Sequence, residues 1–357
     1  MNIDQSPILR RDPGHVGAAL TLLADQLVDG WRQAQGVSLP ESYRRVHRMA
    51  VCAMGGSHLP ADIIKAVLSE DISRPIMVVS DYQLPAWVDQ ETAVIAISYS
   101  GTPEETIAAL KAAIKRRAKV AVITSGGALA DAAGYYRLPL YQFTPTANPS
   151  GQPRLGIGYT ITALLMCLRQ LGWLRPRDGD LDQAVTAARQ AIRRYHPSLR
   201  RPANLAKQLA VEWRNKIPLL MGTGWTAGNL QAFHNQIHEN AKTWAAWYQL
   251  PDLNHHLLEG LRHRAITRQL AAWFVDDPDD PPRLRLRLRL TAETLGRLGA
   301  TVRRWRPHGH TRWEKAIDML AFGGFVSWYL AAVRRVQPAP IPTVDALKQA
   351  LGRVRKT

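Results

Sequence analysis

Arg48-Met49-Ala50-Val51-Cys52-Ala53-Met54-Gly55-Gly56-Ser57 is an apolar run of strand length that stops at two glycines and a serine. A run apolar at every position, rather than at alternate ones, suits a strand covered on both faces. The pattern returns along the chain. Residues 75–80, 92–97 and 119–124 read as further strands, and residues 17–34, 60–69, 104–117, 128–133 and 158–171 as helices. Such strands alternating with helices predict a parallel sheet. The second half repeats the logic, with a helical stretch over 181–214 and a strand over 216–221 that ends at Gly222-Thr223-Gly224. A helix to residue 242, strands at 270–275 and 301–306, and helices at 311–336 and 343–354 follow. The expected fold class is α/β, two parallel sheets each flanked by helices. The halves are residues 1–175 and 176–357, joined near 175–200. No short-period repeat is present, which excludes a solenoid.

One segment sets two rules against each other. Arg283-Leu-Arg-Leu-Arg-Leu-Arg-Leu290 alternates as a half-buried strand would. It lies, however, between two strands, where a right-handed crossover calls for a helix. Leu284, Leu288, Leu295 and Leu298 also fall near one helical face, so a helix is expected.

The chain has 357 residues, enough for two domains, and 46% of them are hydrophobic, which excludes wholesale disorder. Its two cysteines, Cys52 and Cys167, lie in apolar stretches and read as buried thiols of a reducing compartment. No Cys/His spacing suggests a metal site. The N-terminus lacks a signal-peptide pattern, and the longest apolar stretch, around 157–168, is too short to span a bilayer. A cytoplasmic protein without a membrane association is expected. Lys and Arg number 46 against 29 for Asp and Glu, a net charge of +17. Such an excess attracts polyanions. No nucleic-acid-binding module accompanies the arginine clusters, so they read as solvated faces rather than a nucleic-acid surface.

Two loops at strand ends carry the chemistry. Gly55-Gly56-Ser57 runs directly into a helix, and Ser98-Tyr99-Ser100-Gly101-Thr102 precedes Pro103-Glu104-Glu105. Unpaired N–H groups at a helix N-terminus suit a phosphate, and Ser and Thr hydroxyls add donors without bulk. In a parallel sheet both loops open on one crevice. Gly56, Ser57, Ser98, Ser100 and Thr102 are therefore the candidate phosphate ligands. Thr124-Ser125-Gly126-Gly127 forms a third such loop.

These loops, with Glu105-Thr106 after the second, resemble the sugar isomerase (SIS) domain. Further pieces resemble one branch of it, the bifunctional phosphoglucose/phosphomannose isomerases. They are Ile123 to Gly127, Gly151-Gln-Pro-Arg-Leu-Gly-Ile-Gly-Tyr159, Gln236-Ile-His-Glu-Asn-Ala-Lys242, Leu250-Pro-Asp-Leu-Asn-His255, and Val326-Ser-Trp-Tyr-Leu-Ala331 with Leu347-Lys348. The resemblance spans roughly residues 45–352. It implies two SIS subdomains, a homodimer, and metal-free, cofactor-free interconversion of glucose 6-phosphate or mannose 6-phosphate with fructose 6-phosphate. The partner molecule it implies is thus a phosphorylated hexose.

Aldose–ketose isomerisation moves a proton between C1 and C2 through an enediolate, work that one well-placed carboxylate can do. Glu239 matches the family's base, and His255 its ring-opening histidine, a role suited to imidazole near neutrality. Lys348 matches a C-terminal lysine that reaches the substrate. Arg154 matches an arginine suited to stabilising enediolate charge. The chain departs from the family pattern at His58-Leu59-Pro60-Ala61, Thr102-Pro103, His256-Leu257, Ala232 and Gly324. His58 is expected to place a titratable ring beside the phosphate loop. The alternative reading is a SIS protein that binds a phosphosugar without turning it over. Retention of both Glu239 and His255 argues for the enzyme, because a pure binder has no use for two proton-transfer groups.

Overall fold

The computed structural model describes residues 3–174 and 179–353. Helices α1 (Pro7–Arg11), α2 (Val16–Thr21) and α3 (Leu23–Ala34) lead in. The first sheet contains β1 (Arg48–Ala53), β2 (Ile76–Val79), β3 (Thr92–Ser98), β4 (Lys119–Thr124) and β5 (Leu140–Gln142), all parallel, in the order β2-β1-β3-β4-β5. Its helices are α4 (Leu59–Val67), α5 (Glu104–Lys115), α6 (Gly127–Tyr135) and α7 (Ile157–Gln170). After α8 (Asp180–Tyr195) and α9 (Leu205–Glu212) comes the second sheet. Its strands are β6 (Ile217–Gly222), β7 (Ala246–Gln249), β8 (Leu270–Val275) and β9 (Thr301–Trp305), again all parallel, in the order β7-β6-β8-β9. Around them lie α10 (Ala227–Ala241), α11 (Leu257–Gly260), α12 (Arg264–Thr267), α13 (Pro282–Leu298), α14 (Arg312–Arg334) and α15 (Pro342–Arg353).

Strand order reverses between β1 and β3 in the first sheet and between β6 and β8 in the second. A crevice opens beyond the carboxyl ends of strands at such a switch point. In the first half it is bordered by the two serine-bearing loops. In the second it is filled by the protein itself. The Asp280 carboxylate accepts from the Thr223 hydroxyl (2.9 Å) and the Trp225 indole N–H (3.1 Å). Burial raises the Asp280 carboxyl above the usual carboxylate range. Beside it, buried Lys315 is bonded to Asp277 (2.7 Å) and Asp279. Burial opposes the Lys315 charge, but the two aspartates outweigh it and hold the ammonium above its ordinary value.

The alternating Arg-Leu segment is helical, within α13, as the crossover argument expects. Four expectations change. The stretch 181–214 is two helices, because His196-Pro197 and Arg201-Pro202 break it; a residue before proline is held away from helical backbone. The lead-in helix divides at Leu22. Strands β5 and β7 escaped the sequence reading because both are short edge strands with little apolar signal. The longest apolar helix is α14, long and apolar enough to cross a membrane, yet its apolar window is wholly buried inside the fold. The proposed joint between halves includes residues 175–178, and the expected last helix ends at Val354; both lie outside the described residues.

The halves meet through α4 and α10. One hydrophobic cluster contains Leu59, Ile63 and Val67 from α4 with Leu230, Phe233 and Ile237 from α10. At the contact a Cβ on Gly228 would lie 2.3 Å from the Asp62 carbonyl carbon and the Ile63 nitrogen, so only glycine lets the backbones meet. Gly228→Ala is therefore expected to lower Tm by roughly 2–10 °C, an overpacking loss of about 1–3 kcal/mol in a protein of this size. Gly134→Ala, in α6, adds a Cβ that meets nothing and should leave Tm unchanged or higher. Equal melting of the two variants would show that the α4–α10 contact is not close-packed.

Candidate active site

The first loop is a tight turn, Gly55–Ser57, entered through left-handed Gly55 (φ 53°) and leading into α4. A Cβ on Gly56 would stand 3.0 Å from the Arg154 nitrogen. Glycine thus lets the turn Pro153–Leu155 close onto the loop. The Ser57 hydroxyl accepts from the Tyr99 N–H (3.0 Å), which ties the first loop to the second. In the second loop, buried Ser98 accepts from the Gly101 N–H (3.0 Å) and shapes the turn. Ser100 and Thr102 are exposed, with their hydroxyls 2.8 Å apart. The third loop braces the second: both the N–H and the hydroxyl of Ser125 donate to the Tyr99 carbonyl (3.1 and 2.6 Å). His58 does not turn toward these hydroxyls. Its Nδ1 lies 2.6 Å from an Asp62 carboxylate oxygen one helical turn on, and this pairing draws the ring along α4.

Arg154 organises the other wall. It is 1% exposed, and all five of its N–H groups are engaged. Nε donates to Asn240 (2.7 Å), one terminal nitrogen to Gln152 (2.8 Å) and Glu239 (3.0 Å), and the other to the carbonyls of Pro338 and Ala339 (both 2.9 Å). Burial pulls the Arg154 pKa below its ordinary value, and Glu239 opposes that shift. The Glu239 side chain is 26% exposed, in the last turn of α10. Its Oε2 is held by Arg154, whereas Oε1 has no hydrogen-bond partner among the described residues. Asn240 is fixed in turn by donating to Ser327 (2.9 Å). Lys242, the left-handed cap of α10, donates to the carbonyls of Glu239 (2.6 Å) and Pro338 (3.0 Å). Burial, then repulsion from Arg154, lowers its pKa to about 8.

The expected residues thus fall into two groups. Gly56, Ser57, Ser98, Ser100 and Thr102 share one crevice, with Arg154 and Glu239 beside it through the Gly56 contact. His255 and Lys348 stand apart. His255 ends the exposed turn Asp252–His255, which Asn254 ties to α13 by donating to Thr291 (2.8 Å). Lys348 lies on α15, exposed over residues 342–352. No hydrogen bond or ion pair joins either to Glu239 among the described residues. The sequence reading missed Gln152, Asn240 and Lys242, although all three lie inside the motifs quoted above. It also missed the Pro338 and Ala339 carbonyls, because backbone groups leave no signature in side-chain types. A cavity of about 1060 Å³ between Trp31, Trp173 and Trp313 is lined by none of these residues. Among the described residues no cluster of three or more His, Cys, Asp or Glu could hold a metal ion. Cys52 and Cys167 are buried free thiols, pushed up to about 12 by burial.

Comparison with known proteins agrees with this architecture. Residues 42–168 match the SIS domain, and residues 202–351 match the bacterial phospho-glucose isomerase C-terminal SIS domain. A bifunctional phosphoglucose/phosphomannose isomerase of Caldicellulosiruptor bescii is 29% identical over 336 residues, covering 93% of this chain and 98% of the relative. One from Thermoplasma volcanium is 28% identical over 308 residues, covering 85% and 91%. A hypothetical protein of Thermus thermophilus has the same fold, with a TM-score of 0.75 at 17% identity over 97% of this chain and 93% of that one. With two SIS-type halves matched in order, and like-named relatives aligned along most of its length, the chain belongs to the bifunctional phosphoglucose/phosphomannose isomerase family.

Proposed function

We propose that the protein interconverts glucose 6-phosphate or mannose 6-phosphate with fructose 6-phosphate by proton transfer through an enediolate. The observation that carries this reading is the Arg154–Glu239 pair set against the Gly56 loop. The substrate phosphate binds the loops 55–57 and 98–102, with Ser57, Ser100 and Thr102 donating and with Gly56 and Ser98 shaping the turns. Glu239 takes the proton from one of C1 and C2 through its unbonded Oε1 and returns it to the other. Arg154, with every donor engaged, holds Oε2 and supplies a fixed positive charge as the enediolate forms. His255 opens the sugar ring, and Lys348 reaches the substrate oxygens. The reaction is redox-neutral within one molecule, so the step draws on no electron carrier. The two halves are assigned to residues 1–175 and 176–357. A phosphorylated hexose is an intracellular metabolite, so we place the enzyme in the cytoplasm.

Two of these groups need a second copy of the chain. His255 and Lys348 are exposed and separate from Glu239 in one subunit. Exposed apolar groups offer a partner surface to cover: Trp244 (65% exposed), just before β7, and Val344, Leu347 and Leu351, on the same helix as Lys348. We infer a homodimer in which each His255 serves the partner's Glu239.

Ser57→Ala and Ser100→Ala should each raise KM for fructose 6-phosphate by roughly 5–150-fold, the loss of about 1–3 kcal/mol of charge-assisted bonding. Unchanged KM in both would place the phosphate elsewhere. Glu239→Gln should lower kcat at least roughly 10²-fold with KM nearly preserved. With open-chain sugar phosphate, exchange of the C2 proton with solvent should survive His255→Ala and vanish in Glu239→Gln; the reverse would assign the base to His255. Equimolar Glu239→Gln and His255→Ala chains, unfolded and refolded together, should recover about one quarter of wild-type activity. Half the dimers are then mixed, and each mixed dimer has one intact site. No recovery, or light scattering from an active monomer, would show that His255 serves its own subunit.

A further inference from the structure

A cavity of about 390 Å³ opens where α10 and α14 end, and Glu239 is not among the residues that line it. Arg214, Asn215, Ala241, Lys242 and residues 333–336 line it. Four of these are cations, Arg214, Lys242, Arg334 and Arg335, and none is acidic. Two helix C-termini point at the same place, each worth about half a negative charge. Set against four formal positive charges, they leave about three unneutralised.

The cations are under-used. Arg214 and Arg335 are exposed and have no ion pair among the described residues. Arg334 donates from one terminal nitrogen to the Lys216 carbonyl (3.3 Å), while its buried Nε has no partner. Burial holds the Arg334 pKa below its ordinary value. Lys242 spends two N–H groups on the Glu239 and Pro338 carbonyls and has a third to give. Arg334 is half-buried, and its unpartnered Nε is costly unless a counter-ion joins it, while exposed Arg214, Lys242 and Arg335 add like charge around the same opening. Val333, Val336 and Ala241 add an apolar wall that a carbon skeleton can lie against. A volume near 390 Å³ is in the range of small-molecule sites and exceeds what a lone phosphate needs.

We propose that this cavity is a second anion site, for a small phosphorylated metabolite, separate from the loops at 55–57 and 98–102. Its occupant takes charge-assisted hydrogen bonds from Arg214, Arg334, Arg335 and the free N–H of Lys242. Lys242 links it to the reaction, because the same ammonium caps the helix turn that presents Glu239. Pro338, which accepts from both Lys242 and Arg154, closes that link.

The test titrates the full chain with pyrophosphate by calorimetry. The wild type should bind two per chain. Arg214→Gln combined with Arg335→Asn, an exchange that tolerates the left-handed backbone at 335, should weaken one of the two at least about tenfold. Ser57→Ala combined with Ser100→Ala should weaken only the other. Pyrophosphate should also raise the Tm of the Ser57/Ser100 variant, but not when the arginine changes are added. The proposal is overturned if the arginine variant, melting as the wild type does, still binds two. A single wild-type site, abolished by the serine changes, overturns it equally. That last result would leave the isomerase reading intact, because the substrate loops would still bind.

Discussion

A guanidinium with every N–H engaged inside the protein fixes the carboxylate of Glu239. Arg154 gathers a side chain from its own turn, two residues of α10 and two carbonyls from the segment after α14. Breaking a buried ion pair by removing one partner costs about 3–5 kcal/mol, because the other charge is left uncompensated. The turn Pro153–Leu155, the end of α10 and the segment around 338 therefore settle as one unit. The first loop joins this unit only because Gly56 has no side chain to hold Arg154 off. The first loop and Glu239 are thus placed by two different devices, close approach of backbone and saturation of a buried cation.

The two halves share a strand order but not a use. Beyond β1 and β3 the switch-point crevice is bordered by hydroxyls and turn N–H groups. Beyond β6 and β8 the equivalent space holds the Asp280 carboxylate on Thr223 and Trp225, with Lys315 alongside. A carboxylate there occupies the place where an external anion would sit. The second half instead contributes from the opposite edge of its sheet, where α10 ends and Glu239 stands. One sheet supplies the candidate phosphate loops and the other the candidate base, Glu239.

Most of the fold was legible because apolar runs and helical periodicity report burial directly. Strands β1, β3, β4, β6 and β8, and the long helices, follow from that signal alone. The Arg-Leu segment was legible only through topology, since its alternation points the wrong way. The edge strands β5 and β7 were not, because three or four half-covered residues differ little from loop. Of the candidate site, the loops and the Glu239 motif were readable as types of residue in order. Their partners were less so. Nothing in the chain marks the Pro338 and Ala339 carbonyls as acceptors, or shows that His58 pairs with Asp62 along its own helix. The separation of His255 and Lys348 from Glu239 is a property of three-dimensional placement, which motif order does not encode.

The contact of Gly228 with α4 gives α10 a further meaning. Helix α4 grows directly from the first loop, so Gly228 is indexed to that loop, and Glu239 lies eleven residues along the same rod. At 1.5 Å per residue the interval is about 16 Å, and each residue added or removed within it would swing the carboxylate by about 100°. Helix α10 therefore acts as a gauge, with its zero at a glycine and its mark at a glutamate. The tolerance of this chain to insertion and deletion is set there: loops can lengthen, but the interval from 228 to 239 cannot.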